Sequence, residues 1–89
     1  MKLEDRVVDD VLARLRRVEG QVGGIIRMVE SGRECRDVVL QISAASRALE
    51  QAGFKILACG LRACAHDHQA AERAGYTEEE LERLFLRLA

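Results

Sequence analysis

VVDDVLARLRRVEGQVGGIIRMVE, residues 7–30, decides the fold. Val8, Leu15, Val22 and Val29 recur every seven residues, Val11, Val18 and Ile25 fill the second heptad position, and Leu12 and Ile26 widen the stripe. Apolar residues at that period share one face of a helix. The spacing predicts a helix over about residues 4–30, stopped at Ser31-Gly32, where glycine takes the left-handed conformation that closes helices.

A second stripe follows at once. Cys35, Ile42, Leu49 and Ile56 hold one heptad position, and Val38, Ala45, Ala52 and Cys59 hold the other. This predicts a helix from about residue 33 to residue 64 or beyond, antiparallel to the first because the connection is short. Residues 69–75 read as a break, after which Thr77-Glu78-Glu79-Glu80 forms a capping box opening a short helix through Leu81, Leu84, Phe85 and Leu88. The expected fold is all-α, one domain over residues 1–89, with a three-helix protomer: long, long and short. Each stripe is wider than one neighbour covers, so a second copy is needed to complete an antiparallel four-helix-bundle dimer.

Composition agrees. A chain of 89 residues supports only a marginal core by itself, and with two Phe and one Tyr that core is built from Val, Ile, Leu and Ala. Proline is absent, so helices can run long. No run approaches the ~20 apolar residues that span a bilayer, and the start MKLEDRVVDD lacks the order of a signal peptide. A cytoplasmic protein without membrane contact is expected. No catalytic constellation is visible, so an enzyme is not expected.

Three cysteines argue against a disulfide framework and leave metal, redox or packing roles open. On a continuous helix, Cys35 and Cys64, 29 positions apart, lie roughly 44 Å from each other. They cannot meet within one chain. Antiparallel pairing with a copy, crossing near Leu49 and Glu50, would set Cys35 of one chain beside Cys64 of the other, twice per dimer. The plain alternative is packing, since cysteine is among the most buried residue types, and packing is the favoured role for Cys59. In Cys64-Ala65-His66-Asp67-His68, residues 64 and 68 share a helical face and could hold Cu(I) or Zn(II). The competing account is a pair of solvated histidines near a helix C-terminus.

Net charge is −1, but it is unevenly spread: Arg14, Arg16, Arg17 and Arg27 face only Glu19 between residues 11 and 29, whereas the C-terminal segment is acidic. Arg14, Arg17 and Gln21 lie on one helical face that could grip phosphates, although exposed faces are commonly charged. Gly20, Gly23 and Gly24 destabilise a helix interior, which close approach of another helix or of a DNA backbone would offset. No helix-turn-helix or zinc-finger pattern is present, so any DNA contact uses a flat helical surface.

The run Arg14-Leu-Arg-Arg-Val-Glu-Gly-Gln-Val-Gly-Gly-Ile-Ile-Arg-Met-Val-Glu, with Cys35-Arg-Asp-Val-Val-Leu-Gln-Ile-Ser-Ala-Ala after it, closely resembles the copper-sensing operon repressor (CsoR) family over about residues 11–64. The resemblance implies a homodimer, or a dimer-of-dimers homotetramer, that represses its operon by binding operator DNA. An inducer reaching an intersubunit cysteine site releases it. Arg14 and Arg17 match the family's basic segment, and Arg47 is a weaker addition to that surface. The acidic third helix would relay the change. Copper-sensing members carry a histidine where this chain has Gly60, whereas the persulfide-sensing (CstR-like) branch keeps the two cysteines without it. That branch is the expectation: Cys35 and Cys64 as sensor thiols that react with persulfide, with no cofactor required. The alternatives are a repressor sensing Cu(I) or another transition metal through Cys35, Cys64 and one of Cys59, His66 or His68, and a helical metal-buffering or adaptor protein that never touches DNA.

Overall fold

The computed structural model describes residues 2–89, which form four helices and no strand. They are α1 (Asp5–Glu30), α2 (Cys35–His66), α3 (His68–Arg73) and α4 (Glu78–Leu88). Both long helices lie where the heptads put them. Gly32, at φ 74°, closes α1: its N–H donates to the Val29 carbonyl at 3.2 Å, and that of Arg33 to the Met28 carbonyl at 3.0 Å.

α1 and α2 form an antiparallel hairpin. Val7 and Val11 pack on Cys59 with Ile56 alongside, and the Asp10 carboxylate on α1 reaches Lys55 Nζ on α2 at 3.5 Å. The pairing uses one heptad row from each helix. Val11 and Val18 on α1, with Ala45, Ala52 and Cys59 on α2, are buried. The other row stays outside: Leu15, Val22 and Val29 on α1, with Cys35, Ile42 and Leu49 on α2, are exposed.

The C-terminal third departs from the three-helix expectation. The expected break at residues 69–75 is largely taken up by α3, and the chain turns earlier, at Asp67 (φ −152°, ψ 98°). The Asp67 carboxylate accepts the Ala70 N–H at 3.0 Å, so this residue ends α2 and caps α3. Gly75, at φ 92°, closes α3, and Thr77 opens α4 by accepting the Glu80 N–H at 3.2 Å. Only half of the capping box forms, because the Glu80 carboxylate lies 3.1 Å from Arg83 Nη2 instead.

α4 packs against the second half of α2 through glycines one heptad apart. A Cβ on Gly53 would meet Leu88 Cδ2 at 2.6 Å, and one on Gly60 would meet Leu81 Cδ2 at 2.6 Å. Phe54 and Phe85 add a tilted ring pair at 5.5 Å. Leu57, Cys64, Ala71, Tyr76 and Leu81 complete this core. The molecule is a rod of 54 × 25 × 14 Å, capped at one end by α3 and α4 and bare at the other.

Candidate functional site

Cys35 opens α2 and is exposed. It heads the uncovered row that continues through Ile42 and Leu49, the latter 51% exposed. Cys64, near the other end of the same helix, is covered by α3, α4 and the turn between them. It is 7% exposed, enclosed by Leu57, Ala71, Tyr76 and Leu81, and its thiol donates to the Tyr76 carbonyl at 3.7 Å. Cys59 is buried in the separate cluster with Val7 and Val11, as a packing residue would be. The protomer therefore brings no two of these thiols into one cluster.

The histidines do not complete a site within the chain. His66 is the last residue of α2 and His68 the first of α3, both exposed. The turn at Asp67 breaks the helical face that residues 64 and 68 were expected to share. Among the described residues no three His, Cys, Asp or Glu side chains are grouped closely enough to hold a metal ion.

Gly60 decides which donors a metal could find here. A Cβ at this position would lie 2.6 Å from Leu81 Cδ2 and 3.2 Å from Tyr76 Cδ1, so the space beside it is filled by α4 and the α3–α4 turn. What remains is a pair of thiols at the two ends of α2, a soft donor set suited to Cu(I). Tyr76 stands at the covered end. Burial pushes its phenol above the ordinary tyrosine range, with Cys59 and then Glu4 adding to the effect.

The basic face is built across both long helices. Arg14 Nε lies 3.4 Å from one oxygen of Asp10, and Lys55 Nζ lies 3.5 Å from the other. One carboxylate thus gathers a cation from each helix. A cleft beside it is lined by Arg6, Asp10, Lys55 and Arg62. Arg17 and Arg47 are exposed, and the Gln21 side-chain oxygen is enclosed without a hydrogen-bond partner among the described residues. Lys55 and Arg62 on α2 come beside Asp10 and Arg14 only through the register of the hairpin, which the sequence pattern of either helix alone does not reveal. Nothing lies within 4 Å of a Cβ on Gly20, while Arg27 folds back over Gly23 and Gly24, so no second helix of the same protomer explains this glycine cluster.

The family described as "Metal-sensitive transcriptional repressor" matches residues 8–87. The copper-sensing transcriptional repressor CsoR of Bacillus subtilis is 37% identical over 76 residues, covering 85% of this chain and 72% of that protein. The copper-sensing transcriptional repressor RicR of Mycobacterium tuberculosis is 51% identical over 49 residues, 55% of this chain, and the match spans about half (51%) of the relative's length. The crystal structure of the copper-sensing repressor CsoR with Cu(I) from Geobacillus thermodenitrificans superimposes with a TM-score of 0.68 at 36% identity, covering 96% of this chain and 85% of that one. These relatives are named for copper, and they favour the Cu(I)-sensing alternative over the persulfide-sensing branch expected from the sequence, which they do not support. No helix among the described residues is long and apolar enough to cross a membrane.

Proposed function

Because this chain belongs to the metal-sensitive transcriptional repressor family, we propose that it binds operator DNA as a homo-oligomer and lets go when Cu(I) bridges Cys35 of one protomer and Cys64 of its partner. As a member of a repressor family it is not an enzyme, and the adaptor without DNA binding falls away. The single observation that carries the shared site is the placement of two thiols at opposite ends of one 32-residue helix, and the copper-sensing relatives favour Cu(I) as what occupies it. The two thiols become neighbours only if α2 pairs with its copy in the opposite sense.

The uncovered heptad row supports that pairing. Ile42 and Leu49 lie between the two cysteines in sequence and are half exposed, at 50% and 51%. Because half of each side chain is already covered, burying the rest against a partner is favourable by roughly 0.8–1.5 kcal/mol each. When bound, Cu(I) would join two thiolates across the interface and so hold the two copies in one arrangement. The chain's own groups supply the rest. Arg14, Arg17, Gln21 and Arg47, with Lys55 and Arg62, face the phosphate backbone, and the shared Asp10 holds Arg14 and Lys55 in position for it.

A second reading stays in view because of Gly60, which offers no ligand and whose space is occupied by Leu81. In that reading one thiolate takes the outer sulfur of a persulfide, releasing the donor's thiolate. The other cysteine then attacks the new persulfide, expelling hydrosulfide and leaving an intersubunit disulfide.

Anaerobic titration with Cu(I), followed by an electrophoretic shift on the upstream DNA, tests the first reading. The expected result is a stoichiometric complex and release of DNA, both lost in Cys35→Ala and in Cys64→Ala. DNA that stays bound with Cu(I) but is freed by persulfide would instead establish the second.

A further inference from the structure

The reading of Cys64 as a sensor thiol leaves a difficulty: its own chain covers it. Any ligand from the partner's side must first displace that cover, and one residue holds the cover in place by four separate contacts. The Tyr76 N–H donates to the Ala71 carbonyl at 2.8 Å, completing the turn in which Gly75 takes φ 92°. Its carbonyl accepts from the Cys64 thiol at 3.7 Å. Its hydroxyl donates to the Lys2 carbonyl, and its ring lies against Gly60 at the crossing with Leu81.

We propose that Tyr76 is a positioning residue that keeps Cys64 closed by fastening the α3–α4 turn to the N-terminal segment 2–4, so that occupation of Cys64 is transmitted to the start of α1. The proposal rests on the reading of Cys64 as the sensor thiol, whichever inducer reaches it.

The coupling follows from the contacts. A sulfur bonded to a ligand has no S–H to give, so the Tyr76 carbonyl loses its donor inside an apolar cluster, an arrangement that folded proteins avoid. The turn then gains by moving outward. The hydroxyl moves with it, and the Lys2 carbonyl is released. Leu3 still touches the cluster of Val7, Val11 and Cys59, but the segment loses its cross-chain tie. That segment leads directly into α1, which carries Arg14 and Arg17. The sensor end and the basic face are thereby joined through one side chain, without a catalytic role for it.

Tyr76→Phe removes the hydroxyl and keeps the ring against Gly60 and Leu81. Peptide-resolved alkylation of the reduced, full-length chain with N-ethylmaleimide measures each thiol separately. The expected result is at least a fivefold faster reaction at Cys64, with Cys35 unchanged and amide exchange in the middle of α1 unchanged. Alkylation of Cys64 at the wild-type rate overturns the proposal, as does an acceleration matched by equally faster exchange throughout α1, which is global loosening. Should the variant fail to fold, trypsin cleavage after Lys2, whose carbonyl takes the tie, is timed in the wild-type protein with Cys64 free and with Cys64 alkylated. Faster cleavage once Cys64 is alkylated supports the tie and its release, and an unchanged rate overturns it. Failure of the copper reading is distinguishable: a chain that binds no Cu(I) yet shows the Tyr76→Phe acceleration loses its inducer and keeps the closing residue.

Discussion

A methyl group at Gly60 would meet Leu81 Cδ2 at 2.6 Å and Tyr76 Cδ1 at 3.2 Å, whereas one at Gly20 would meet nothing within 4 Å. The same substitution should therefore act in opposite directions. Alanine relieves the entropic cost of a helical glycine by about 1 kcal/mol, and at Gly20 nothing opposes that gain. At Gly60 the added methyl pushes on a buried leucine, and overpacking of this kind costs about 1–3 kcal/mol. Gly20→Ala should raise the unfolding free energy by about 0.5–1 kcal/mol, and Gly60→Ala should lower it by about 1 kcal/mol net. Urea unfolding at one fixed protein concentration measures both; a stabilising Gly60→Ala would mean that α4 does not sit where described. The sequence showed Gly60 as a departure from a family histidine, but it could not show that a leucine from another helix takes up the vacated room.

The long elements were legible because their signals are redundant: two heptad rows each, no proline, and Gly32 as a stop. The short element was not. Asp67 ends α2 with no glycine or proline to announce it, and α3 spans only six residues, too few for a period to register. Its signals were present but local: an aspartate whose carboxylate meets the Ala70 N–H, and a glycine closing the turn that Tyr76 completes. If that cap is what turns the chain, Asp67→Ala should cost about 0.5–2 kcal/mol. The freed residue should also let α2 extend toward residue 70 in place of the turn. The helical signal in circular dichroism should then hold or rise while thermal stability falls. A loss of helix would show that α3 depends on the cap for its existence rather than for its direction.

At the scale of the whole molecule, the sequence exposed the puzzle and a single chain cannot solve it. Cys35 and Cys64 are legible as a pair only through the arithmetic of helix length, and their meeting belongs to an assembly rather than to a protomer. The inducer is less legible still, since two thiols serve copper and sulfur chemistry alike and the missing histidine points away from the relatives' names. The assembly can nevertheless be interrogated by mixing two defective chains. In an antiparallel dimer each site takes Cys35 from one copy and Cys64 from the other. Cys35→Ala and Cys64→Ala homodimers then contain no complete site. A dimer holding one chain of each kind contains one complete site and one empty pair. Unfolded together and refolded, the two variants should recover tight Cu(I) binding of one equivalent per mixed dimer, although neither binds alone; mass spectrometry under native conditions counts the metal in each species. Recovery requires a shared site, because no intrachain arrangement of a 32-residue helix can rebuild a pair from two chains that each lack one member. Mixed dimers that form and stay empty would place the two thiols in unrelated roles.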